Sequence, residues 1–265
     1  MRLKILHSTR YDFDEPVAYG LQQVRKTPKL MRAQKVVEWT TKFQGARREA
    51  QYDDFCRNRV ELVSIEPGTQ SVTIRSEGEV ELTDNHGVVG AHQGLAPLWL
   101  FLRPTALTAP GMGCQNIVGS LTDADPIDRL HELSAAIRKA VIYETGQSGT
   151  HWSAEDSITA ARGVCQDHTH VFLACARLMK FPARYVSGYL MMNDRVTQDA
   201  MHAWAEAHVE GLGWVGLDVS NGISPDTRYV RVATGLDYTQ AAPVSGTRFG
   251  NANETLTVEL EVAQQ

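Results

Sequence analysis

The hydrophobic period of this chain switches at Phe181-Pro182, and the switch constrains its fold more than any other feature. Between residues 125 and 179 apolar side chains recur every three or four positions; from 183 to 218 they recur every two. The first pattern buries one face of a helix and the second one face of a strand, and neither suits the other element. Asp125-Pro126 supplies an N-cap and a first-turn proline for a helix with the stripe Ile127, Leu130, Leu133, Ile137 and Val141. Ser153-Ala154-Glu155-Asp156 resembles a capping box and opens a second helix to about Arg162, with Gly163 as the residue that ends it. A third helix starts at Cys165, buries His168, Val171, Phe172, Cys175, Leu178 and Met179, and stops ahead of Pro182. Residues 183–190 and 202–209 then read as strands. Gly211-Leu212-Gly213 turns the chain, and 214–218 returns as a hairpin partner.

The first 83 residues contain only strand patterns: Leu3, Ile5 and His7 in alternation, then 36–43, 58–65, 71–76 and 79–82, separated by Gly, Pro, Asp and Asn. Close spacing of short strands predicts an antiparallel sandwich or half-barrel. Residues 84–124 read as a low-periodicity connector rich in Gly and Pro. Two further strand patterns, 229–232 and 254–260, close the chain, and the last is a candidate to rejoin the N-terminal sheet. The expectation is an α+β protein: a β-rich region with connector at 1–112, a helix-and-sheet domain at 113–230, and C-terminal strands at 231–265.

The 265 residues are 43% hydrophobic and 22% charged, with a net charge of −5. These values suit a globular protein with a substantial core. No basic face points to nucleic acid, and no basic amphipathic helix points to a membrane surface. Residues 1–7 lack the apolar run of a signal peptide, so the expected location is the cytoplasm. Four cysteines are too few for a disulfide framework. Cys165 and Cys175, ten residues apart on one helix, would be separated by roughly 15 Å, beyond disulfide reach. Cys56, Cys114 and Cys175 read as packed, reduced thiols.

Cys165 is different, because it lies after a glycine and at a helix start. The free N–H groups and dipole of a helix N-terminus favour a thiolate. Cysteine catalysis also needs a base and a group to orient it. His202 on a nearby strand and Asp218 on the hairpin return are the candidates. The hairpin carries a register condition. With a three-residue loop at 210–212, Val209 faces Gly213 and Trp204 faces Asp218, so His202 and Asp218 become diagonal neighbours roughly 7–8 Å apart on one face. A loop of two or four residues would turn Asp218 to the other face.

Four ordered blocks then resemble the bacterial transglutaminase-like proteins of the transglutaminase superfamily, a group that includes candidate cysteine proteases. They are Gly163-Val164-Cys165-Gln166-Asp167 with His170, Pro182 to Tyr189, His202-Ala203-Trp204-Ala205-Glu206, and Gly213 to Asp218 with Asn221-Gly222. The strand-rich front is similar to the N-terminal region these proteins carry. The resemblance implies a papain-like core, a helix bundle packed on an antiparallel sheet. It implies Cys165 as nucleophile, His202 as general base and acid, and Asp218 as its orienting residue.

The expected chemistry is amide-bond cleavage of a peptide or protein through a thioester. Transfer of the acyl group to an amine is the alternative, and a peptide-binding module with little turnover is a third. Gln166 and Trp152 are candidates for the second oxyanion donor. Trp204 is a candidate for a groove wall and equally for the core. His168, where many relatives carry an aromatic residue, is a candidate lining of the cleft. Asp167 and His170 read as supports of the helix start. The spacing of structural zinc ligands is absent, and no cofactor is expected.

Overall fold

The computed structural model describes residues 1–265. The front of the chain forms two antiparallel sheets. One contains Arg2–Val17, Gln34–Gln44, Thr69–Leu82, Glu254–Gln264 and the short Thr197–Gln198; the other contains Tyr19–Val24, Ala46–Asp53, Arg59–Ile65 and Val244–Phe249. The long first strand buries every second residue from Leu3 to Phe13. That one face serves two partners. Tyr11 and Phe13 meet Val24, Val63 and Ile65 of the second sheet, while Leu3 and Ile5 join the core under the helices. Between the two sets lie His7, Thr9 and Lys26, all buried. Lys26 reaches the Thr9 hydroxyl and the Ile74 carbonyl, and burial pulls its ammonium down to about 7.

The second half contains a five-stranded antiparallel sheet. Its order is Tyr229–Gly235, Ala183–Leu190, His202–Val209, Gly213–Leu217 and Val88–Gly90. Five helices join it: α1 (Met112–Gly119), α2 (Pro126–Ala140), α3 (Ala154–Ala160), α4 (Cys165–Leu178) and the short α5 (Tyr238–Ala241). Leu130, Leu133, Ile137, Val171, Phe172 and Cys175 pack with Ala203, Ala205 and Val215 of this sheet in one core. This is the expected α+β architecture. No helix is long and apolar enough to cross a membrane.

The Tyr229–Gly235 strand lies at the sheet edge, and the N-terminal part covers it. The Gln34 amide donates to the Arg231 carbonyl (2.8 Å) and accepts from the Arg231 N–H (2.7 Å); Asn58 does the same at Thr234, at 2.8 Å each way. Two side-chain amides thus stand in for a neighbouring strand and satisfy an otherwise open edge.

Two local expectations change. The span read as a connector contains α1, whose residues Cys114 and Ile117 are buried; eight residues, two of them glycine, show too little period to signal a helix. Gly163 does not end α3. That position is taken by Ala161 in the left-handed region, at φ 53°. Gly163 is instead required by close approach, since a Cβ there would lie 2.6 Å from Cβ of Asp167.

Candidate active site

Cys165 is the first residue of α4, partly exposed, with Val164 at the N-cap position. The turn that presents it is fastened by Asp167, whose Oδ2 accepts from the Val164 N–H at 2.7 Å and from the Ser148 hydroxyl at 2.6 Å. A carboxylate there also suits the helix dipole. The first N–H groups of a helix have no intrahelical acceptor, so those of Cys165 and Gln166 are free at the helix start.

His202 begins its strand, and Asp218 follows the last residue of the next. Val209 pairs with Gly213 and Ala205 with Leu217, which is the register of a three-residue loop. The loop is built for it: Gly211 and Gly213 both have φ of 82°, a region that disfavours a side chain. His202 Nε2 consequently donates to Asp218 Oδ2 at 2.6 Å. With Nε2 committed to the carboxylate, Nδ1 is the nitrogen left for the sulfur. Burial pulls His202 down, but the Cys165 charge, the bonds to Asp218 and Cys165 and the Asp218 charge raise it to about 10. The imidazole, bonded to the carboxylate and subject to the Cys165 charge, therefore favours its protonated form.

Asp218 is buried. Burial raises its carboxyl, and the bonds from His202, Asn221 and Tyr229 more than offset this, leaving it below the usual carboxylate range. Asn221 Nδ2 donates to Oδ2 at 2.7 Å and its N–H to Oδ1 at 3.2 Å; the Tyr229 hydroxyl donates to Oδ2 at 2.8 Å. Neither residue was assigned a role from sequence. Asn221 lies in a quoted motif, whereas Tyr229 reaches the site from the far edge of the sheet and gives no local signal.

The segment that leads into His202 is also held. Thr197 and Gln198 pair with Glu261 and Leu260 of the C-terminal strand, and the Gln198 amide donates to the Leu190 carbonyl at 2.8 Å. The N-terminal sheet thus fixes the loop that delivers the imidazole.

The other candidates divide. His168 does not line the cleft. It is buried, with Nε2 2.8 Å from the Val141 carbonyl and Nδ1 2.8 Å from the Ser220 hydroxyl. The carbonyl can only accept, so Nε2 carries the proton and Nδ1 accepts from serine. Burial lowers this histidine. Trp204 does not form a groove wall either. It is 3% exposed, stacks behind His202 at 6.3 Å and meets Tyr229 edge-on at 5.5 Å. Its place is under the imidazole. Gln166 turns its amide toward the Thr150 carbonyl at 3.4 Å, and Trp152 is half-buried on the same loop. His170 is buried and accepts from the Tyr238 N–H at 3.2 Å. Tyr143, unremarked in the sequence, is half exposed and within electrostatic range of Cys165 and Asp218.

The sequence profile of the transglutaminase-like superfamily matches residues 115–219, the span that holds Cys165, His202 and Asp218. The profile of the bacterial transglutaminase-like N-terminal region matches residues 3–81. The chain carries a transglutaminase-like core preceded by a bacterial transglutaminase-like N-terminal region. An uncharacterized protein of Mycobacterium leprae is 29% identical over 99% of both chains. One from Mycobacterium tuberculosis is 32% identical over 51% of this chain and 47% of its own length. The crystal structure of a candidate cysteine protease from Cytophaga hutchinsonii superposes with a TM-score of 0.79 over 100% of this chain and 91% of that one, at 21% identity. The transglutaminase-like protein described here therefore shares its full fold with that neighbour.

Proposed function

We propose that the protein is a cysteine-dependent amide-bond hydrolase acting on a peptide or protein. The observation that carries the reading is His202, held by Asp218 at 2.6 Å on one side and set against Cys165 on the other. The Cys165 thiolate attacks the amide carbonyl carbon and a C–S bond forms. Charge collects on the oxygen, where the Cys165 backbone N–H at the start of α4 is a suitable donor. Collapse breaks the C–N bond as His202 gives its proton to the leaving amine. The product is an acyl thioester. His202 then takes a proton from water, the resulting hydroxide attacks the thioester, and the sulfur leaves as thiolate. Asp218 holds the ring in orientation through both halves.

Peptide-library profiling tests this with wild type and Cys165→Ala, in the presence and absence of a labelled primary amine. Cleavage products that vanish in the variant support hydrolysis. Amine incorporation that outpaces cleavage assigns acyl transfer instead. Equal cleavage by both proteins removes Cys165 as nucleophile, and no turnover of any kind by wild type favours a binding module.

A further inference from the structure

We propose that a cavity on the outer face of α2 is a binding site for a small, multiply charged oxyanion, a phosphate group or a polycarboxylate. The cavity encloses about 530 Å³, within the range of small-molecule sites. Its walls include His131, Ser134, Arg138 and Lys139 of α2, together with Leu217 and Gly222 of the Asp218 turn. Neither Cys165 nor His202 contributes to it, so it is separate from the nucleophile and its histidine.

The chemistry of the lining selects the ligand. It offers a guanidinium, an ammonium, an imidazole and a hydroxyl, and no carboxylate. His131, Ser134 and Arg138 recur at three- and four-residue spacing, so they share one face of α2. The helix dipole accounts for Arg138 and Lys139 in the last turn. It does not account for their convergence with His131, two turns earlier, on a concave wall. A guanidinium fork and an ammonium suit paired oxyanion oxygens.

The opposite wall is the turn that holds Asp218. Gly222 has φ of 67°, and a Cβ there would lie 2.5 Å from Arg138 Nη1, so the guanidinium rests on the bare glycine. The Gly222 N–H donates to the Asp218 carbonyl at 2.8 Å, and Asp218 and Ile223 pair across the same turn. An anion drawn to Arg138 would therefore bear on the turn behind the carboxylate.

Calorimetric titration of the full chain with inorganic phosphate and with citrate, at fixed ionic strength, tests the site. The expected result is saturable binding of one anion per chain, weakened about ten-fold or more in Arg138→Gln and in Lys139→Gln. Hydrogen exchange should slow in 131–139 and 217–223 on addition of the anion. Tighter binding of phosphate assigns a phosphate group as the ligand, and tighter binding of citrate a polycarboxylate. Lys139 is exposed, so Lys139→Gln reads the site even if Arg138→Gln loosens the turn. Absence of saturable binding, unchanged affinity in both variants, or protection confined to other segments would overturn the proposal.

Discussion

His202 Nε2 and Asp218 Oδ2 lie 2.6 Å apart because the hairpin between their strands turns through three residues. The contact is a consequence of register, and a shift by one residue would carry the carboxylate through the sheet to the other face. The pair then draws on the rest of the fold: Tyr229 from the edge strand, Asn221 from the following turn, and Trp204 stacked beneath the ring.

Asp218→Asn tests what the carboxylate does. The amide keeps the shape but loses the charge, and its NH2 group faces the Nε2 proton. The rate of amide cleavage should fall by a factor on the order of 10³ to 10⁴, the scale seen when such a carboxylate is neutralised. Asp218 is among the groups that hold His202 at about 10. Its loss should therefore shift the alkaline limb of the kcat/KM profile to lower pH. A profile unchanged in shape would show that Asp218 does not act through His202.

Much of this was legible in the sequence because it is local. The cap at Asp125, the start of α4 at Cys165 and the strand at 202–209 follow from nearest-neighbour rules, whereas the hairpin register stood only as a condition, which the pairing of Val209 with Gly213 meets. The strands at 19–24, 46–53 and 244–249 escaped, since their exposed and polar residues blur the period of two. The roles of Tyr229, Gln34 and Asn58 escaped for another reason. Each depends on a contact between distant parts of the chain, and no local pattern encodes it. His168 was misplaced, and Trp204 was left open between groove and core, because helical spacing and alternation show which face a residue takes but not what lies opposite.

Glu206 is the clearest case of a motif residue with a structural task. Its carboxylate is buried and accepts from Arg184 at 2.7 Å and Arg231 at 2.5 Å. The arginines come from the neighbouring strand and from the edge strand capped by Gln34. Glu206→Ala leaves two buried guanidinium groups without their shared counter-ion. Removal of one partner from a buried ion pair costs about 3–5 kcal/mol, and urea unfolding should read a loss of that size. A loss under about 1 kcal/mol, the range of an exposed pair, would show that water replaces the carboxylate.

Stability should fall on the acid side of neutrality. Burial lowers His7 and His168, and it takes His170 to about 4. A histidine lowered on folding binds its proton more readily in the unfolded chain. Its contribution is complete above the unfolded value of about 6.5 and is lost as pH drops toward the folded value. For His170 the window runs from about 6.5 down to about 4, and each such group adds a slope of about 1.4 kcal/mol per pH unit. On the alkaline side the groups oppose each other. His202, raised to about 10, stabilises fully below 6.5 and loses this as pH climbs to 10, whereas Lys26 and Lys29, both lowered to about 7 by burial, favour the fold as pH rises from 7 to 10.5. Urea titrations across pH should therefore show a steep acid limb and a gentler rise above pH 7. His170→Asn should shallow the acid limb, and an unaltered slope would assign it to other groups.

His168 gives the last test, because it ties the nucleophile's helix to the Asp218 turn without touching either reacting group. Its ring bridges the Val141 carbonyl at the end of α2 and the hydroxyl of Ser220, two residues after Asp218. His168→Phe keeps an aromatic ring but strands a buried carbonyl and a hydroxyl, at about 1–3 kcal/mol for each unsatisfied group. His168→Gln can still donate to one and accept from the other. Thermal unfolding should rank the proteins wild type, Gln, Phe. Activity should follow the same order through kcat more than KM, since the carboxylate behind His202 loses its fixed position while the cleft keeps its walls. If the Phe variant unfolds earlier yet retains full kcat, the bridge supports the fold alone. If Gln restores both stability and kcat, the two hydrogen bonds, and not the ring, are what the Asp218 turn requires.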